Sequence, residues 1–209
     1  AIQNLQYAIY EQDHKYLKTR NPIQYVDFIA PKDQLANIEF YKNAVVVFFL
    51  TKLATDVFVA NTRLQNVCNL KSSVWRKEEL DFMKTICNTE KIKENAVLDS
   101  SNPIKKRGKC ISYCERNNLE YELIKDDDFK TFLKKMSSFK RLIFFTGHLE
   151  TCARILVEAK MLNLEVTYQK RLIGAASEEW FSLSGIDMID KMEDISSHMP
   201  DKVLEYFND

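Results

Sequence analysis

Glycine is scarce in this chain: four residues in 209, and none before Gly108. Soluble domains carry roughly 7 %. With so few, neither G-x-G-x-x-G nor G-x-x-x-x-G-K-[ST] can be written, so the glycine-loop cradles for dinucleotides and nucleoside triphosphates are excluded. Net charge is also lacking, with 30 basic against 30 acidic side chains. That balance speaks against a nucleic-acid partner held by bulk phosphate neutralisation. Long apolar runs are missing too. The longest, Ala44 to Leu50, is far shorter than the ~20 residues a membrane-spanning helix needs, so no transmembrane segment is expected. No basic stretch followed by an apolar one opens the chain, so no signal peptide is visible. Five cysteines, an odd and scattered set at 68, 87, 110, 114 and 152, do not form a disulfide framework. They predict a reducing, cytoplasmic setting.

What is present is 45 % hydrophobic and 29 % charged residues, the composition of an ordinary globular chain. Segments rich in β-branched and aromatic residues alternate with stretches of helical spacing. Strands are expected at Leu5 to Tyr10, Val45 to Thr51 and Asn66 to Leu70, with helices at Lys52 to Arg63 and Lys77 to Lys93. From residue 96 the alternation is regular. Strands Ala96 to Asp99, Glu120 to Ile124, Arg141 to Phe145 and Glu165 to Tyr168 are separated by helices Lys105 to Arg116, Phe129 to Phe139 and Thr151 to Leu162. This pattern predicts a parallel sheet with helices on both faces. Ligands of such sheets sit beyond the carboxyl ends of the strands. A helix start is expected at Ser177-Glu178-Glu179, and a restart at Met199-Pro200-Asp201 for a final helix through Phe207.

Charge is balanced only in total. From Glu178 onward there are nine acids and two bases, whereas Lys105, Lys106, Arg107 and Lys109 form a basic cluster.

The most informative segment runs from Gly147 to Leu162. Glu150 opens a largely apolar helix after an apolar strand, and Glu158 stands eight residues on. Spacing alone is weak, because about one glutamate pair at this separation is expected by chance among 16. An ion pair of Glu158 with Arg154 at i,i+4 explains it equally simply. The context of strand, turn, acid, buried helix and second acid raises the signal. Asp126-Asp127-Asp128 offers a different chemistry. A D-x-D after a strand suits a divalent cation holding a diphosphate, but Asp128 capping the next helix is the favoured reading. Cys110 and Cys114 at i,i+4 lack two further ligands for zinc. They read as reduced core residues.

Glu150 to Glu158 resembles the E-x7-E motif of retaining glycosyltransferases with the two-Rossmann-domain (GT-B) architecture, the family-4 type. Leu172 to Phe181 is similar to that family's G-G-x-x-E segment, with Gly174 kept, Ala175 in place of the second glycine, and Glu178 as the acid. Ser101-Asn102-Pro103-Ile104-Lys105 matches a strand-end loop carrying a basic residue. The resemblance is good from about 96 to 181 and loose from about 7 to 95.

It implies an α/β chain of two Rossmann-like lobes. Residues 1–94 would form an abbreviated acceptor-side lobe that begins partway through the domain. Residues 95–209 would form the nucleotide-sugar-binding lobe, with a final helix crossing back onto the first. The implied activity is metal-independent transfer of a sugar, with no cofactor besides the nucleotide-diphosphate sugar donor. The acceptor would be an unknown glycan, lipid or protein, and an oligomer is compatible. The implied donor-binding set is Asn102, Lys105, His148, Thr151, Cys152, Glu158 and Gly174, with Glu158 on the ribose and the 151–152 amides toward the diphosphate. Glu150 and His14 would be catalytic, and Lys15 and Arg20 would face the acceptor. The alternatives are a non-catalytic nucleotide-sugar module that needs a partner, and a metal-dependent D-x-D (GT-A type) transferase.

Overall fold

The computed structural model describes residues 5–207. It contains two parallel sheets flanked by helices, the α/β class expected from the alternation. In the first, β1 (Ala8–Glu11), β2 (Val46–Phe49) and β3 (Val67–Asn69) lie in the order β1-β2-β3. Helix α1 (Ile38–Lys42) precedes β2 and α2 (Lys52–Thr62) follows it. All four residues of β2 are buried because both faces are covered. Val47 and Phe49 meet Tyr16, Tyr41 and Phe58 on one side. On the other, Val46 and Phe48 meet Leu70 and Met199. This is the period-2 alternation of a central strand. Between β1 and α1 the chain makes short 3-10 turns at Pro22–Gln24, Val26–Phe28 and Lys32–Gln34.

Helix α3 (Lys77–Ile86) leads to the second sheet, built from β4 (Lys93–Leu98), β5 (Tyr121–Ile124), β6 (Phe139–Ile143) and β7 (Glu165–Thr167) in the order β5-β4-β6-β7. The connecting helices are α4 (Arg107–Arg116), α5 (Phe129–Ser137) and α6 (Arg154–Met161). Ala96 and Leu142 face the main core, shared with Leu80 and Met83 of α3, Leu133 of α5 and Leu156 of α6. Val97 and Ile143 face the opposite side, against Cys110 and Cys114. The i,i+4 spacing of those cysteines is therefore the buried stripe of α4, and all five cysteines are free. Although α3 precedes residue 94, its apolar face belongs to the core of the second sheet.

Several expected elements differ: the helix expected at Lys77 to Lys93 ends at Ile86, and Lys93 already opens β4. Helix α6 starts at Arg154, not Thr151. Glu150 instead makes a parallel bridge to Ile173, donating its N–H to the Leu172 carbonyl (3.0 Å) and accepting from the Gly174 N–H (2.8 Å). That pairing keeps residue 150 extended. The helix expected at 177–179 is replaced by two 3-10 turns, Gly174–Ser177 and Glu179–Ser182. There, the Ser177 hydroxyl and the Glu178 carboxylate accept from the Leu53 and Lys52 N–H groups (2.9 and 2.6 Å), capping α2. Finally, α7 (Gly185–Leu204) is one 20-residue helix that runs through Pro200 without a restart. Met188, Ile189 and Met192 anchor it in the second core, while Met199 and Val203 reach the first. Burial at both ends outweighs the backbone bond that proline removes near the helix end.

No helix among the described residues is long and apolar enough to cross a membrane.

Candidate active-site cleft

The strand order of the second sheet reverses between β4 and β6. Such a switch point opens a crevice at the carboxyl ends of its two strands, where open α/β sheets take their ligands. The loops leaving β4 and β6 meet there. The Gly147 N–H donates to the Ile104 carbonyl at 2.7 Å. Ahead of them stands the 12–24 segment that follows β1. The three together enclose a cleft of about 570 Å³.

Glu150 and Lys105 form an ion pair at 2.8 Å inside this cleft, with 15 % and 28 % of their side chains exposed. The Thr146 hydroxyl, at the end of β6, donates to the same carboxylate oxygen at 3.1 Å. Asn102 and Thr151 line the same wall, with His148 beside them; Arg20 faces them from the first-sheet side. Asn102 also accepts from the Ile104 N–H (3.0 Å), which fixes the turn that presents Lys105.

Five residues of the expected set do not open into this cleft. His14 is 1 % exposed. A carbonyl only accepts, so His14 Nε2 carries the proton it donates to the Leu149 carbonyl (3.1 Å), and Nδ1 accepts from the Tyr16 hydroxyl (3.0 Å). Burial holds its pKa down at about 4, so the imidazole is neutral and both nitrogens are engaged. His148 Nδ1 donates to that same carbonyl at 3.1 Å. Two imidazoles thus pin the peptide immediately before Glu150. Lys15 is not on the cleft wall and pairs at 3.6 Å with Asp13, which is. The Cys152 side chain is buried, and its thiol is pushed up to about 12 by desolvation.

Gly174 is packed rather than open. A Cβ there would lie 2.1 Å from the Thr151 carbonyl oxygen and 2.4 Å from Thr51 Oγ1. Only hydrogen fits where these backbones cross, and Thr51 donates to the same Thr151 carbonyl at 2.7 Å.

Glu158 lies elsewhere, 5 % exposed on α6. It accepts from Trp75 Nε1 (3.1 Å) and from Arg154 Nε (3.3 Å), whose guanidinium stacks on the Trp75 ring at 4.9 Å. Desolvation raises its pKa against the pull of Arg154. Its edge reaches a separate pocket of about 320 Å³ with Leu98, Asp127 and Phe129 at the ends of β4 and β5.

The D-x-D residues are occupied structurally. Asp128 caps α5 by accepting from the Thr131 N–H (2.8 Å), and Asp126 pairs with Lys135 (2.7 Å). Among the described residues no group of three or more His, Cys, Asp or Glu side chains could hold a metal ion.

The candidate residues read from the sequence did not include Thr146 or Asn21, although the loop from Thr146 to Glu150 lies at a strand end. The Asn21 amide donates to the Gly147 carbonyl (3.1 Å) and joins the two walls of the cleft. The only available signal for Thr146 was a hydroxyl ending an apolar strand.

No family model matches the chain, and no curated protein matches it. Among solved structures, it is similar to the crystal structure of Anabaena Alr3699/HepE in complex with UDP and glucose. The sequence identity is 13 % and the TM-score 0.48; 95 % of this chain is covered. The chain spans 63 % of the length of that protein.

Proposed function

We propose that the cleft binds a nucleotide-diphosphate sugar and transfers its sugar to an acceptor entering from the first-sheet side. The observation that carries this reading is the Lys105–Glu150 pair at the switch point, opposite Arg20. Lys105 supplies positive charge against a departing diphosphate. In this reading the backbone at Thr151, which lines the cleft ahead of α6, faces the diphosphate without a glycine loop. Glu150 lies where it can stabilise positive charge developing on the sugar. The Glu158 pocket, at the ends of β4 and β5, is the candidate nucleoside end. Within the proposal the transfer is retaining and metal-independent, residues 95–209 hold the donor, and 1–94 supply the acceptor side.

A second reading, donor binding without turnover, is favoured by one observation. His14 is sealed behind Leu149, and the acceptor-side wall offers no other histidine.

A thermal-shift screen over UDP-, GDP- and ADP-sugars, with and without EDTA, tests donor binding through ligand stabilisation. Slow donor hydrolysis that disappears in Glu150→Gln supports transfer. Calorimetric binding with no turnover against any acceptor supports the binding module. If no nucleotide sugar stabilises the chain, both readings fall.

A further inference from the structure

The acceptor side of the cleft carries one unbalanced charge. Four charged side chains line it: Asp13, Arg20, Lys105 and Glu150. Glu150 is paired with Lys105, and Asp13 with Lys15. Arg20 makes no salt bridge and no side-chain hydrogen bond among the described residues, although it is exposed in the cleft and held at a left-handed φ of 52°. The cleft therefore presents a guanidinium without a counter-ion beside the amides of Asn21 and Gln24.

Directly after Gln24 the surface turns apolar. Ile23, Tyr25, Val26, Phe28 and Leu172 line a groove of about 420 Å³, with the mutually paired Asp27 and Arg171 at its rim. Its wall is shared with the cleft through Leu149, which packs with Phe28, Ile23 and Leu172. Val26, 86 % exposed, is the most exposed large hydrophobic side chain described. The chain holds it outward by a strained turn. Asp27 and Phe28 both sit at positive φ, 48° and 65°, an arrangement costing on the order of 1 kcal/mol or more per residue. Arg171 clamps the turn by stacking on Phe28 (4.8 Å) and pairing with Asp27 (2.9 Å). A backbone that exposes an aliphatic side chain on a groove one apolar layer, Leu149 and Ile23, from a cleft with an unpaired cation fits a ligand carrying both features.

We infer that the acceptor is an anionic amphiphile, with its charged head on Arg20 and its hydrocarbon tail in the Ile23–Leu172 groove. This rests on the transfer reading above for the word acceptor, but the site itself is tested without a donor. The probe is octyl phosphate below its aggregation threshold, compared by calorimetry with inorganic phosphate and octanol. Octyl phosphate is expected to bind at least tenfold more tightly than either. Arg20→Ala should weaken it at least tenfold. Val26→Asp, at a position exposed enough to leave folding intact, should also weaken it at least tenfold. UDP stabilisation measured alongside should be unchanged by Val26→Asp. Octyl phosphate binding no tighter than inorganic phosphate, or indifferent to Val26→Asp, overturns the inference. So does an Arg20→Ala variant that loses UDP binding as strongly as octyl phosphate binding. If UDP fails to stabilise the wild-type chain while octyl phosphate behaves as expected, the donor reading falls and the amphiphile site stands.

Discussion

Glu150 and Glu158 are eight residues apart in one segment, yet the fold treats them oppositely. Glu150 stands at a cleft, its charge matched by Lys105 and a threonine hydroxyl, with solvent at hand. Glu158 is desolvated and held by Trp75 and Arg154. The first carboxylate is poised to exchange partners when a ligand arrives. The second cannot change partners without disturbing a core. The difference comes from the bridge to Ile173, which keeps residue 150 out of the helix, whereas Glu158 is carried into the apolar layer by α6.

The contrast is sharpest in acid, where the groups around each carboxylate respond with opposite sign. His14, under the Glu150 peptide, has a folded pKa of about 4 against the ordinary 6.5. The unfolded chain binds this proton first, so stability falls as pH drops from 6.5 towards 4, by about 3 kcal/mol from this group. Urea unfolding across that window should show the loss, and His14→Gln should flatten it. Gly174→Ala attacks the same end by sterics. Its methyl group would displace the Thr151 backbone, and overpacking of this kind costs ~2–3 kcal/mol. Thermal denaturation measures it.

At the Glu158 end the sign reverses. Its folded pKa is raised, so its ionisation disfavours folding. Stability is fully present below the ordinary carboxylate pKa and declines as pH rises through the folded value. Arg154→Ala removes the counter-charge and should cost about 2 kcal/mol near pH 8. That is less than for a fully enclosed pair, because Arg154 keeps 43 % of its side-chain exposure. The deficit should shrink near pH 5, where Glu158 can take up a proton. A deficit that stays constant from pH 5 to 8 would break the contrast. The smallest stability effect belongs to Glu150→Gln, about 0.5 kcal/mol, because Lys105 can rehydrate. Its signature should be functional instead, a loss of donor hydrolysis.

The β4-to-β7 alternation was legible because buried strands and one-faced helices write their periods plainly, as Val97 and Ile143 opposite Cys110 and Cys114 do. The turns between Pro22 and Gln34 were not. They are set by contacts with distant residues, such as Asn61 capping the Ala30 N–H and the Phe28 carbonyl. The position of the cleft followed from strand ends, whereas Lys105, Asn102, His148, Glu150, Thr151 and Arg20, which line it, were implied by the family resemblance. Burial was invisible: nothing local to His14 announces that Tyr16 and Leu149 will close over it. Gly174 was legible as a special position, but its reason, two backbones crossing, exists only in three dimensions. Ser177 and Glu178 carried the signature of a helix start, but the helix they cap is α2.

Helix α7 spans about 30 Å at ~1.5 Å per residue, with its first turns in one core and its last on the other. The order of synthesis then matters. β1, β2 and β3 leave the ribosome before α7, but one face of β2 is covered only in part, by Leu70 and its neighbours, until Met199 and Val203 have been made. A nascent chain would carry an exposed Val46–Phe48 surface through the translation of roughly 150 residues. The late helix therefore serves as the closing clasp of the first sheet, and premature termination before it would leave that sheet open to chaperones and aggregation.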